Sequence, residues 1–250
     1  MINKDFIIKN SFIEEIEHFT EIDSTNTYLK KLSNEDFKEN RLVIADKQSA
    51  GRGRMSKTFY SPSDGLYFSF VTKPKLSIEE IQLITIIAAL AVNNSIKKLY
   101  DVNSNIKWLN DIYINNKKIC GILAEGTISS ATNYDYIVIG IGINLKSVDK
   151  IPEAIEDIYT ALDMHSTNKV DKSDLIISIL NEFEILSKKD RSNIVNLYKE
   201  SCLSIMKKVN YKGDTYIVKD ISDLGHIILE NDNKELLTLN SGEVSLVYED

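Results

Sequence analysis

The chain has 250 residues, with 30 Lys+Arg against 37 Asp+Glu for a formal charge of −7, and 43% of it is hydrophobic and 27% charged. That is an ordinary globular composition, long enough for one large domain or one large and one small, and its acidity excludes a generalised nucleic-acid coat, which needs clustered cations to release phosphate counterions. Two widely spaced cysteines, Cys120 and Cys202, argue against a disulfide framework or a zinc cluster, and imply reduced thiols in a cytoplasmic chain.

In chain order, the first five residues carry charge too early for a signal peptide. Asp23-Ser24-Thr25-Asn26 supplies helix-capping residues ahead of Tyr28-Leu29-x-x-Leu32, which predicts a short amphipathic helix. Arg41–Lys47 and Gly65–Val71 read as strands, the second rich in aromatic and β-branched residues. Ser77-Ile-Glu-Glu80 is a capping box that opens a long helix to about Leu99. Its apolar stretch Ile81–Val92 is too short to span a bilayer, so no membrane association is expected. Strands follow around Asn105–Trp108, Ile112–Ile114, Lys118–Ile128 and Tyr134–Asn144, with a turn at Asn115-Asn116. Helical periodicity returns over Lys172–Ser187 and Ser192–Cys202. From residue 203 the chain alternates in short runs between Gly and Asn-Asp turns, the pattern of a small β-barrel. Two domains are expected, an α+β body over 1–202 and a barrel over 203–250.

The unusual residues are concentrated. Seven of the ten glycines lie between Gly51 and Gly142, and only four residues are Arg, two of them flanking Gly53. A guanidinium offers a planar fork of donors suited to carboxylate or phosphate. No acidic residue occurs from Lys47 to Ser63, so Lys47, Arg52, Arg54 and Lys57 form a positive island. Such a loop is expected to be mobile when empty, because its charges repel one another. Gly51 to Thr58 imitates a phosphate-binding loop, but Ser56 replaces its second glycine. Phe59-Tyr60-Ser61-Pro62 then favours extended chain rather than the helix such a loop must open. Gly140-x-Gly142 lacks the third glycine of a dinucleotide fingerprint. The three histidines are scattered, and no metal site is expected.

What remains is a set of segments in order: Ser24-Thr25-Asn26, Gln48-Ser-Ala-Gly-Arg-Gly-Arg54, Ser61-Pro62, Lys107-Trp-Leu-Asn-Asp111, Cys120-Gly121-Ile-Leu-x-Glu125 and Gly140-Ile-Gly-Ile-Asn144. Together they resemble the biotin–protein ligases, which attach biotin to a lysine of carboxylase carrier domains. The motifs run from about Ile22 to Asn144, and the layout matches to the C-terminus. Leu109 stands where the family usually has Pro, and Phe59 where it usually has Trp. The fold this implies is α+β, a mixed or antiparallel sheet with helices of the class II synthetase-like ligase type, plus a small C-terminal SH3-like barrel.

The implied chemistry activates biotin with ATP, accompanied by Mg2+, as biotinyl-5'-AMP, then passes it to the carrier lysine. Short neutral groups suit a ureido ring, because they pair donors and acceptors without a charge to desolvate. Ser24, Thr25 and Asn26 also read simply as a helix cap, and Gln48 as a loop residue. Two anions meeting at the reacting centre need fixed positive charge, and the resemblance gives catalytic roles to Arg52, Arg54 and Lys107. It implies a binding site of Ser24, Thr25, Asn26, Gln48, Gly51, Arg52, Gly53, Arg54, Lys107, Gly121, Gly140 and Asn144. Only about 22 residues precede the first motif, too few for the DNA-binding domain of bifunctional members, so a ligase without DNA binding is expected, with homodimer formation left open. The competing readings are a lipoate or octanoate–protein ligase of the same fold and a non-catalytic biotin sensor.

Overall fold

The computed structural model describes residues 2–73, 77–128, 134–242 and 244–247. The body begins with α1 (Lys4–Asn10), β1 (Glu15–Ile22), α2 (Thr25–Glu35), β2 (Arg41–Gln48) and β3 (Leu66–Thr72). It continues with α3 (Ile81–Tyr100), β4 (Asn105–Lys107), β5 (Asp111–Ile114), β6 (Lys117–Thr127) and β7 (Tyr136–Ile143), then α4 (Lys172–Ser187) and α5 (Arg191–Ser201). Strands β8 (Lys208–Tyr211), β9 (Asp214–Ile221), β10 (Ile227–Glu230), β11 (Leu236–Leu239) and β12 (Ser245–Leu246) complete it.

Seven strands form a mixed sheet in the order β1-β2-β3-β7-β6-β5-β4, parallel only between β1 and β2. The five C-terminal strands form a second, antiparallel sheet, β11-β10-β9-β8-β12. The expected α+β class is therefore present, and the C-terminal alternation is realised as a sheet with β11 and β12 at its edges. Three elements were not predicted. β1 carries charged residues and is half exposed, β8 is short, and α1 is too short for a helical period to declare itself.

Alternation along the strands gives the large sheet two different faces. Leu42, Ile44, Leu66, Phe68, Phe70, Ile137, Ile139, Ile141 and Ile143 meet α3 in the main core, with α4 and α5 against that helix. Apolar residues surround α3 on nearly every side, as suits a helix enclosed between a sheet and other helices. On the opposite face Val43, Val71, Tyr136 and Val138 pack with Leu29 of α2 in a smaller cluster. α2 covers only part of this face, and beyond its N-terminus the sheet is carried by glycines. Cross-strand pairing sets Ala45, Tyr67, Gly142, Gly121, Asp111 and Lys107 in one row across six strands.

The C-terminal sheet joins the body at the β4 turn. The Trp108 indole N–H donates to the Gly225 carbonyl at 3.0 Å, and the Leu203 N–H to Ile106 O at 2.9 Å. Val209, Val218, Ile221, Ile227 and Leu229 belong to the same apolar core as the body. Among the described residues no helix is long and apolar enough to cross a membrane.

Half of the capping box ahead of α3 is formed, from Glu80 back to Ser77. The Glu80 N–H donates to the Ser77 carbonyl rather than to its hydroxyl, and Ile78–Glu80 makes one tight turn before α3 begins. Ser77 donates its backbone N–H and its hydroxyl to Glu80 Oε2, each at 3.0 Å, and Arg191 of α5 pairs with the same carboxylate. Chiefly through the Ser77 N–H, these partners hold the Glu80 carboxyl below its ordinary value of 4.5. A carboxyl depressed in the folded state stabilises the fold above its unfolded pKa, and that stability is lost as pH falls through the folded pKa. Glu80→Gln is therefore expected to lower the thermal midpoint at neutral pH. The gap from wild type should close on acidification below 4.5, as thermal unfolding at several pH values will show.

Candidate functional site

The site occupies the sheet face that α2 leaves uncovered. A methyl added at Gly142 would lie 2.5 Å from Phe59 Cε1, and one at Gly121 2.9 Å from Phe59 Cε2. The Phe59 ring is thus seated on two cross-strand glycines, edge-on to Tyr67 with centroids 6.4 Å apart. It lines both a small polar pocket of about 30 Å³ and a groove of about 860 Å³. Phe59 forms part of the boundary between them.

The small pocket is built around the N-terminus of α2. Ser24 Oγ accepts from the Thr27 N–H at 3.4 Å, so the capping role is real. Thr25 donates its backbone N–H and its hydroxyl to Gln48 Oε1 at 2.9 and 3.1 Å, and its hydroxyl lies 2.8 Å from Ser69 Oγ. Gln48 Nε2 donates to Ser61 Oγ at 3.0 Å, and the Ser61 hydroxyl to Phe59 O at 2.9 Å. Asn26, only 4% exposed, donates Nδ2 to Glu125 Oε2 at 2.8 Å, while its Oδ1 is buried without a partner. The cap and the pocket lining are therefore the same residues. A buried neutral polar wall of this kind discriminates by matching donors to acceptors.

The basic loop folds back on itself. Gly53 N–H donates to Lys57 O at 2.7 Å and Phe59 N–H to Gly51 O at 2.8 Å, around a single tight turn over Arg54–Ser56. No helix follows, which agrees with rejecting the phosphate-binding loop. Met55 and Ser56 have φ of 53° and 60°, left-handed backbone that costs each non-glycine residue about 1–2 kcal/mol. Gly51 admits no side chain, since a methyl there would come within 2.4 Å of Phe59 O.

The expectation of a loop that is mobile when empty assumed that its charges only repel one another, and the structure shows acceptors for both arginines. Arg52 Nη2 lies 3.2 Å from Glu125 Oε1, with Nη1 at 3.4 Å from Oε2. Arg54 donates to Asn110 Oδ1 at 3.0 Å and to the Gly242 carbonyl at 3.2 Å, its guanidinium carbon 5.9 Å from the centre of the Trp108 ring. The acceptors come from three distant segments, so the local absence of acids says nothing about the pairing of these cations.

Lys107 lines the groove with its ammonium 5.5 Å from the Tyr113 ring. Sequence reasoning missed a second lysine. Lys118 Nζ lies 2.8 Å from Asp111 Oδ2 and 5.6 Å from the Phe59 ring, beside Gly121. Asn144 borders the groove, but its Nδ2 donates to the Thr160 and Lys118 carbonyls at 3.0 and 3.4 Å, so it ties the wall together. Burial pushes the Tyr159 hydroxyl in that wall up to about 12. Ser61, Ser69, Asn110, Lys118 and Glu125 all escaped prediction as site residues. Ser61, Asn110 and Glu125 carried a legible signal, since each lies in one of the family-like segments, and Glu125 also shares a strand face with Gly121. Cys120 belongs to the main core, where burial raises its thiol pKa, and takes no part in the site. Among the described residues no group of acidic, His or Cys side chains could hold a metal.

Glycine floor, neutral polar pocket and cationic rim together suit a ligand with an uncharged polar head and an anionic end, and the groove admits a molecule of nucleotide size. The chain belongs to the biotin/lipoate A/B protein ligase family, whose model matches residues 19–144. It is 38% identical over 165 residues to the bifunctional ligase/repressor BirA of Bacillus spizizenii, a match covering 65% of this chain and 50% of that one. It is 30% identical over 125 residues to the biotin–[acetyl-CoA-carboxylase] ligase of Paracoccus denitrificans, covering 49% and 51%. These matches span about half the length of each relative. The biotin protein ligase of Aquifex aeolicus, solved with biotin and ATP, superposes with a TM-score of 0.78 at 25% identity, over 95% of this chain and 100% of that one.

Arg54 links the basic loop to the C-terminal sheet, and its removal should loosen both. Arg54→Ala is expected to accelerate tryptic cleavage after Arg52 and Lys57 by about tenfold, the equivalent of one charge-assisted hydrogen bond of about 1.5 kcal/mol. Cleavage rates at those two sites in native buffer provide the check, and equal rates would show that the tie is not restraining the loop.

Proposed function

We propose that the chain is an ATP-dependent biotin–protein ligase. One observation carries the reading: a small polar pocket on a glycine floor, bordered by Arg52, adjoins across Phe59 a groove of nucleotide size that carries Lys107 and Lys118. In the first step a biotin carboxylate oxygen attacks the α-phosphorus of ATP and pyrophosphate leaves. In the second, the amine of a carrier-domain lysine attacks the acyl carbon, AMP departs and the nitrogen loses a proton. Arg52 and the two lysines would oppose the charge that gathers on the phosphate, where a preorganised donor contributes about 3–4 kcal/mol. Mg2+ would enter with ATP.

The Aquifex complex with biotin and ATP supports the substrate assignment, and the Paracoccus ligase supports a carboxylase carrier as acceptor. A lipoate-type acid fits less well, since its dithiolane ring offers no donor to the unpartnered, buried Asn26 acceptor. In this reading residues 1–202 hold the chemistry and 203–250 form the C-terminal unit. The chain would act in the cytoplasm, alone or as a homodimer, and without DNA.

Pyrophosphate should be released from ATP in the presence of biotin and not of lipoate; release with lipoate alone would transfer the protein to the rival activity. Lys107→Ala and Lys118→Ala should each depress adenylate formation by roughly two to three orders of magnitude. Transfer from pre-formed biotinyl-adenylate should suffer less, because pyrophosphate has already gone. Single-turnover measurement of each half-reaction separates the roles, and a lysine whose alanine variant adenylates at the wild-type rate is structural.

A further inference from the structure

Glu125 stands where the polar pocket meets the basic loop. On β6 it shares a face with Gly121 and Leu123 and pairs in register with Val138 of β7. Its Oε2 accepts from Asn26 Nδ2 at 2.8 Å and Arg52 Nη1 at 3.4 Å, while Oε1 lies 3.2 Å from Arg52 Nη2 and 3.7 Å from Lys30 Nζ. Arg52 spans both carboxylate oxygens, sharing Oε2 with Asn26 and Oε1 with Lys30.

A carboxylate accepts hydrogen bonds and donates none. Asn26 must therefore turn its Nδ2 toward Glu125 and its Oδ1 away. That oxygen is buried without a hydrogen-bond partner, and it faces Gly140, where a methyl would lie 2.4 Å from it. The neighbouring amide is already committed, Gln48 Oε1 to Thr25 and Gln48 Nε2 to Ser61. What the pocket offers a ligand at Asn26 is an acceptor, and the residue that makes it so is Glu125.

We infer that Glu125 is a positioning residue for substrate selection: it fixes the hydrogen-bond polarity of Asn26, so that the pocket takes an acyl substrate whose ring presents an N–H there and rejects an isosteric ring that presents an acceptor. The inference rests on the ligase reading above, in which a ureido ring supplies that donor. It goes beyond it by assigning the choice of ring to a side chain that acts through another.

Pyrophosphate release tests this with two acids, biotin and its cyclic-carbamate analogue, in which oxygen replaces a ureido N–H at nearly constant volume. Wild-type release with biotin establishes the activity, and its absence would sink the ligase reading itself. Given that activity, wild type should prefer biotin in kcat/KM by about tenfold or more, the effect of one mismatched buried acceptor. Glu125→Ala frees the Asn26 amide to turn, so the preference should fall to about threefold or less, with KM for biotin rising by a larger factor than kcat falls. A side chain that merely supported the fold would lower both acids' rates together and leave their ratio untouched. Should the alanine variant not fold, Glu125→Gln serves: its amide can donate to Asn26 Oδ1, and it should move the preference the same way. A wild-type preference retained in a folded variant overturns the inference, as does a wild type that does not distinguish the two acids.

Discussion

Three glycines on two neighbouring strands leave the sheet bare where α2 stops, and the rest of the site depends on that steric constraint. Gly121 and Gly142 are cross-strand partners, and Gly140 pairs with Leu123 in the next row. With no side chains rising from them, the Phe59 ring and the Asn26 amide come down onto the sheet itself. Any larger residue would fill the space that the pocket and the ring share. The pocket's polar residues stand around this floor, those of α2 on a helix that Leu29 anchors against Val43, Val71, Tyr136 and Val138 of the same face.

Charge is handled in a second layer. The basic loop carries its cations without local acids, yet Arg52 is paired with Glu125, Arg54 with neutral oxygens, and Lys118 with Asp111. Such pairs are weak where water reaches them, so an anionic ligand can replace the protein carboxylate at small cost. Arg52 is 44% exposed and Glu125 16%, which places their pairing at the rim rather than in the interior. The same guanidinium can thereby be held ready by a protein acid and given over to a ligand acid.

The C-terminal sheet belongs to this arrangement through two hydrogen bonds. Gly225 O receives the Trp108 indole N–H, and Gly242 O receives Arg54. Trp108 follows directly on Lys107, and Arg54 stacks above its ring, so the sheet touches both the strand that bears a groove lysine and the loop that bears the arginines. Shared apolar residues make the join continuous with the main core. The groove is consequently lined by Gly242, Val244, Ser245 and Leu246 as well as by the body.

Local chemistry settled much of this molecule in advance. Apolar runs rich in β-branched and aromatic residues marked β2 to β7, a cluster of capping residues marked α2, the Ser77–Glu80 pattern marked the start of α3, and the Arg and Gly clusters marked the loop that borders the pocket. Those signals are legible because propensity, capping and alternation act within a few residues of each other. Charged, half-exposed β1 was not legible, because its strand form depends on pairing with β2. Nor could the sequence choose between cap and pocket for Ser24 to Asn26, since both roles want the same short polar groups. Only the tertiary structure brought Glu125 from 73 residues away onto Arg52, set Lys118 beside Gly121, and left one amide oxygen of Asn26 without a partner. Register across the sheet decided those meetings, and register is fixed by the packing of the whole core rather than by any one segment.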